Sequence, residues 1–204
     1  MNYTEIINLA LSYSDRTDSD ITERMGDFVK VVEARINRAL RVNQMSTRSI
    51  VVTLKDQQYI GLPKDFAGIR DIEVKEKGAI KGVTAHYLNP EQMNSTVVAN
   101  GPGSIYYTIV SNQIQLFPAQ DDKLLEIVYY RLLDHLDIDN DTNWLSLRYP
   151  DSYVFGLIVE IESFVKNPAG AEMWNQRFES ALVEIAQEDQ IDRWSGTPLT
   201  VKVG

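Results

Sequence analysis

The sequence predicts an α+β protein, a helical bundle of two N-terminal and two C-terminal helices with an antiparallel β-rich region inserted between them. Two observations lead there. Apolar residues recur at steps of three and four near both ends of the chain, the period of a helix with one buried side. In the middle the period drops to two, in short β-branched runs parted by turn residues with no ten-residue helix between them, which argues against βαβ units. The division that follows is 1–46 with 133–193 as the helical bundle, 47–132 as the β-rich insertion and 194–204 as an extended tail.

The first helix runs from Tyr3 to Tyr13, with Ile6, Ile7, Ala10 and Leu11 on one side. A polar loop rich in capping residues, Ser14 to Ser19, precedes the most regular stretch of the chain. There Ile21, Met25, Phe28, Val29, Val32, Ile36, Ala39 and Leu40 predict one helix over 20–42, opened by a capping box between Asp20 and Glu23. Ser49–Leu54 then reads as a strand, turned by Lys55-Asp56-Gln57 into Gln58-Tyr59-Ile60. Further strands are predicted at 69–74 and, after the turn Glu76-Lys77-Gly78, at 79–84. Asn89-Pro90-Glu91 reads as an N-cap, a first-turn proline and an acid, and starts a short helix over 90–98. Residues 105–110 and 113–117 form a hairpin about Ser111-Asn112, and 124–131 is the last strand.

Pro150 and Asp151 open a helix reaching Lys166 that is apolar around most of its circumference, so it needs neighbours on every side, from this chain or from other subunits. Asn167-Pro168-Ala169-Gly170 breaks it, and a second helix over 171–191 completes an antiparallel hairpin. One stripe of that second helix holds Ala171, Trp174, Phe178, Ala181, Leu182 and Ile185, and the other carries Glu172, Gln176, Glu179, Glu184 and Glu188.

A 204-residue chain buries about 70% of the surface of its open form when folded, enough for one sizeable core or a core with a satellite. There is no cysteine, which removes disulfides, thiolate zinc sites and cysteine nucleophiles together. The net charge is −9, and residues 136–204, with twelve acids and five bases, hold −7 of it. Phosphate backbones and anionic membranes repel a chain of that sign, so direct nucleic-acid binding is disfavoured. The start Met1-Asn2-Tyr3-Thr4-Glu5 carries no basic and apolar signal pattern, and no apolar run approaches the ~18 residues of a membrane span.

Few motifs suggest chemistry. Asp137-Ile138-Asp139-Asn140-Asp141 spaces oxygen ligands as a calcium loop begins, but the sixth position is Thr142 rather than glycine and the twelfth is Arg148 rather than glutamate. Gly101-Pro102-Gly103-Ser104 leads into a strand, so no helix N-terminus stands behind it to hold a phosphate. His86 and His135 sit beside apolar residues near strand ends, and Glu160 and Glu162 face different directions on one helix. No catalytic or metal-ligating set is expected, and no cofactor. Adjacent tyrosines, Tyr106 with Tyr107 and Tyr129 with Tyr130, place one ring inward and one outward on a strand. The inward rings fill the core, and the outward rings either lie on an exposed face or form a protein contact.

The order of several short segments resembles a known family. Leu62-Pro63-Lys64-Asp65-Phe66 precedes Ile69–Val74; Tyr87-Leu88-Asn89-Pro90-Glu91-Gln92-Met93 follows; then come Tyr106-Tyr107-Thr108-Ile109, Leu116-Phe117-Pro118 and Val128-Tyr129-Tyr130-Arg131. Asn143-Trp144-Leu145, Tyr149-Pro150-Asp151-Ser152-Tyr153 and Trp174-Asn175-Gln176-Arg177-Phe178 close the series. Across roughly residues 1–196 this is similar to the head-to-tail adaptor (connector) proteins of tailed bacteriophages.

The resemblance implies a non-enzymatic virion protein of the head–tail junction, assembled in the host cytoplasm into a homo-oligomeric ring, commonly dodecameric, beneath the portal. Such a ring extends the DNA channel, lets DNA pass without specific binding and docks tail or nozzle proteins. The acidic last third suits that channel. The extended tail has no place in a bundle, and Trp194, Pro198, Leu199, Val201 and Val203 are the expected contacts with the portal or a neighbouring subunit. The rival readings are a tail-completion or tail-tube subunit and, from another class, a small-ligand or calcium-binding module using 137–143.

Overall fold

Asn2 starts the first helix by a capping box: its side chain accepts from the Glu5 N–H at 2.9 Å while the Glu5 carboxylate accepts from the Asn2 N–H at 2.9 Å. The structure, a computed structural model, describes residues 1–95 and 103–194. It divides into two compact units, Met1–Gln44 with Leu133–Gly204, and Met45–Leu132.

The first unit holds α1 (Tyr3–Ser14), α2 (Ser19–Thr22), α3 (Met25–Ala39), α5 (Trp144–Arg148), α6 (Pro150–Phe164) and α7 (Pro168–Trp194), and α4 (Pro90–Ser95) lies in the second. The expected bundle of two plus two helices is therefore corrected: the described residues form seven helices, six of them in this unit, within a mixed α+β structure. One helix was predicted over 20–42, but the chain turns at Glu23 and Arg24. Asp18, not Asp20, is the N-cap, the Asp20–Glu23 box does not form, and the Arg24 N–H bonds back three residues to the Ile21 carbonyl. Ile21 and Met25 are both buried on either side of that turn, so the hydrophobic period runs through it unbroken and conceals it. Sequence reading also missed α5, a single short helix held by a capping box between Asn143 and Ser146.

α6 is the centre of the unit. Tyr153, Val154, Leu157, Ile158 and Ile161 are buried around its circumference, and α1, α3, α5 and α7 pack on it. Its apolar surface thus finds its partners inside the chain, at about 1.5–3 kcal/mol for each large side chain removed from water. Gly156 permits the close approach: a Cβ there would stand 2.7 Å from Val32 Cγ1 on α3 and 3.1 Å from Phe178 Cε2 on α7.

The second unit is a seven-stranded sheet in the order β1-β7-β3-β4-β5-β6-β2. Its strands are β1 (Ser46–Val52), β2 (Tyr59–Gly61), β3 (Phe66–Lys75), β4 (Val83–Tyr87), β5 (Ile105–Val110), β6 (Gln113–Phe117) and β7 (Leu124–Arg131). Every pair is antiparallel except β4 and β5, which run parallel with Ala85 opposite Ile105. An all-antiparallel sheet was expected, but the connection from β4, which contains α4, brings β5 back beside the start of β4 rather than its end. The fourth strand begins at Val83 instead of Ala79, after Gly82, where any Cβ would meet the Val74 carbonyl oxygen at 2.2 Å. The hairpin falls as predicted, with Val110 opposite Gln113 and Ser111 at φ 56°.

Alternation then sorts the two faces of the sheet. Ile60, Ile72, Val74, Ala85, Ile105, Tyr107, Ile114, Leu116, Leu125, Ile127 and Tyr129 share one face and form the core. On the other face Lys75 pairs with Glu126 at 2.7 Å and with Glu73 at 3.0 Å, and Arg48 reaches Glu126 at 3.0 Å, which ties β1, β7 and β3 by charge as well as by backbone.

Candidate functional site

In the loop compared with a calcium site, the first carboxylate is turned onto the loop's own backbone. Asp137 Oδ1 accepts from the backbone N–H groups of Asp139 and Asn140, both at 2.8 Å, and the Asn140 bond is the main reason its carboxyl is held below the ordinary range. The Asn140 amide donates to the His135 carbonyl at 2.6 Å, and Asn143 caps α5. What looked like a row of metal ligands is a self-capped turn. Among the described residues no group of three His, Cys, Asp or Glu side chains is placed to hold a metal ion.

His135 is recruited to structure. Its Nδ1 faces Glu33 Oε2 at 2.5 Å, and Glu33 Oε1 accepts from the Leu136 N–H at 2.8 Å and from the Tyr153 hydroxyl at 3.0 Å. The Asn143 amide donates to the same hydroxyl at 2.8 Å, so α3, α6 and the 133–143 segment meet at one buried carboxylate. His86 lies on β4 with its ring 6.3 Å from that of Tyr106. Gly103 is at φ 107°, while Gly101 and Pro102 lie outside the described residues. Glu160 bonds Arg35 on α3, and Glu162 accepts from the Asn167 amide at 2.8 Å in the α6–α7 turn.

The aromatic pairs do not form an exposed plate. Tyr106 and Tyr107 are both buried, as is Tyr129, whose hydroxyl donates to Asp65 at 3.1 Å. α4 packs against β5, the strand that carries the first pair.

Among the described residues, two apolar surfaces stand out as open to contact. In the helical unit, Ala39 of α3 and Leu182, Val183 and Ala186 of α7 line an apolar groove of about 310 Å³, with Glu179 at its side. In the sheet unit, edge strand β1 turns Arg48, Ile50 and Val52 to solvent, and Leu54 follows beyond the strand end. Neither was read from the sequence, because a β-branched run shows that a strand exists without showing that it lies at the edge of a sheet. Along α7, Glu172, Glu179 and Glu184 are exposed, bonded to Gln176, Asn175 and Ser180 of the same helix and to no basic partner in those bonds. Trp194 is the last residue of α7; its side chain, and Pro198, Leu199, Val201 and Val203 entirely, lie outside the described residues. No described helix is long and apolar enough to cross a membrane.

Among comparisons with known proteins, the sequence model of the SU10 adaptor protein family matches residues 1–202. A search of curated proteins found no match. With nearly its whole length inside the family's own pattern, the chain belongs to the SU10 adaptor protein family.

Proposed function

We propose that this chain is a structural, non-enzymatic virion protein that forms a ring adaptor between the portal and the tail of a tailed bacteriophage. The observation that carries the reading is the family match over residues 1–202. Two features of the molecule support it. Asp137 and Glu33, two acids whose placement could have suggested chemistry, are engaged in capping and packing. The exposed acids of α7 suit a channel wall along which DNA slides, since like charge keeps phosphates from adhering.

In this reading the helical part, 1–46 with 133–193, and the β-rich insertion, 47–132, are the two working bodies of a subunit that assembles in the host cytoplasm and ends at the head–tail junction. The ring, commonly of twelve copies, extends the DNA channel and docks tail or nozzle proteins. Trp194, Pro198, Leu199, Val201 and Val203 contact the portal or a neighbouring copy, and residues 194–204 act as the gripping tail.

Electron microscopy of the full chain mixed with portal rings tests this directly. Added ring density at one end of the portal is the expected result, and a chain that stays single overturns it. Charged substitutions Val201→Lys and Val203→Lys are expected to weaken portal or neighbour contact at least tenfold; unchanged assembly removes these residues from the interface.

A further inference from the structure

The two edges of the sheet are treated differently by the sequence. β2 is three residues long and ends in Gly61, and so short an edge offers little for another strand to pair with. β1 is seven residues long, with neither proline nor lysine to blunt it. The Thr53 N–H donates to the Lys123 carbonyl at 2.9 Å, which fixes the phase of the ladder. In antiparallel pairing the backbone groups alternate in direction, so those of Thr47, Ser49 and Val51 meet β7 while those of Arg48, Ile50 and Val52 point to the open edge. Beside these groups, which have no backbone partner among the described residues, stand apolar side chains, Ile50 at 58% exposure, Val52 at 45% and Leu54 at 65%. A seven-residue edge whose second half exposes Ile50 and Val52, beyond the ion-paired Arg48, is a template for an added strand and a liability in a protein that leaves it empty.

We infer that this edge receives, as an eighth strand, residues 199–203 of a neighbouring copy of the chain. The inference rests on the ring reading and names its contact. Leu199-Thr200-Val201-Lys202-Val203 has the matching pattern: three apolar residues at period two, two of them β-branched, with Thr200 and Lys202 between. Their apolar side lies beside Ile50, Val52 and Leu54, and their backbone supplies the bonds that Arg48, Ile50 and Val52 leave open. A strand donor and a strand acceptor on one polypeptide form a heterologous pair, the kind of contact that passes from copy to copy and closes a ring. Four residues lie between Trp194 and Leu199, five steps along the chain, so the neighbour's β1 lies within roughly 17 Å of the end of α7.

The chain has no cysteine, so introduced thiols report cleanly. Full-length Ile50→Cys and Val201→Cys variants are mixed under a mild oxidant, alone and with portal rings, and followed by sizing and denaturing gels. A disulfide-linked dimer of one variant with the other is expected, at least tenfold above that from Val201→Cys mixed with Tyr59→Cys on the opposite edge. Ile50→Pro, which removes one outward N–H and leaves the β7 ladder intact, is expected to abolish the higher-mass species while the melting transition of the subunit stays cooperative. Equal cross-linking to both edges overturns the inference, as does assembly that survives Ile50→Pro. A disulfide found only within single chains of the double variant Ile50→Cys/Val201→Cys overturns it too. In those three cases the ring reading stands; if the unaltered chain forms no higher-mass species with or without portal rings, both fail.

Discussion

The Tyr153 hydroxyl donates to Glu33 at 3.0 Å from a fully buried ring, joining the first turn of α6 to the middle of α3. Burial, and then the neighbouring Glu33 charge, push the phenol well above its ordinary range, so it stays a neutral donor wherever the protein is folded. Tyr153→Phe removes one donor and is expected to cost about 1–2 kcal/mol. Glu33→Ala orphans both that hydroxyl and the Leu136 N–H and is expected to cost more, about 3 kcal/mol. Urea midpoints at unchanged slope check both, and equal losses for the two variants would show that Glu33 is not the hub.

Gly156 makes a second expectation, on packing alone. A Cβ would sit 2.7 Å from Val32 Cγ1, so Gly156→Ala is expected to destabilise by about 1–3 kcal/mol despite the better helix propensity of alanine. Val32→Ala alone opens a small cavity; combined with Gly156→Ala it makes room for the new methyl. The double variant is expected to be more stable than the sum of the two single losses, and strict additivity would contradict the contact.

Much of this architecture was legible in advance, and the misses have physical causes. The period of three and four found the long helices because Ile21, Val29, Ile36, Leu157 and Phe178 all point into one core. The same period could not show the turn at Glu23–Arg24, since Ile21 and Met25 remain in phase across it. The pairing of Ala85 with Ile105 depends on how the α4 connection returns, which no local pattern encodes. The open groups of Ile50 and Val52 were hidden for a related reason: edge or centre is decided by strand order. The 137–143 acids misled because the oxygen spacing that ligates an ion also caps a turn.

Thr108 carries a third expectation. Its Oγ1 is fully buried on β5 and, among the described residues, is the buried side-chain oxygen with no hydrogen-bond partner. An unmet hydroxyl costs desolvation energy without return, so Thr108→Val, of nearly equal shape, is expected to raise stability by about 1 kcal/mol. Thermal or urea unfolding measures it. A loss of stability would mean that the hydroxyl is engaged in the folded protein.

The last expectation concerns pH and the pair Tyr149–Glu188, where the Tyr149 hydroxyl donates to Glu188 Oε2 at 2.7 Å and Arg148 adds an ion pair. The tyrosine's hydrogen bond, followed by that of Arg148, holds the Glu188 carboxyl below its ordinary 4.5. A lowered acid contributes stability above its unfolded value and loses it as pH falls through the folded one, so this part disappears on acidification below about 4.5. Tyr149 goes the other way: burial and the bond to Glu188 push it from 10.0 up to about 12. A raised phenol contributes fully below 10.0 and loses that contribution as pH climbs towards 12. Tyr149→Phe is therefore expected to remove one alkaline component and to weaken the acid one, whereas Glu188→Gln acts chiefly on the acid side and narrows the alkaline step. Tyr3, Tyr107, Tyr129 and Tyr153 are raised as well, so the decisive quantity is the difference in melting temperature between the unaltered chain and Tyr149→Phe across the pH range. That difference is expected to be flat near neutrality and to shrink at both ends. A constant offset would show that the hydroxyl contributes through packing alone.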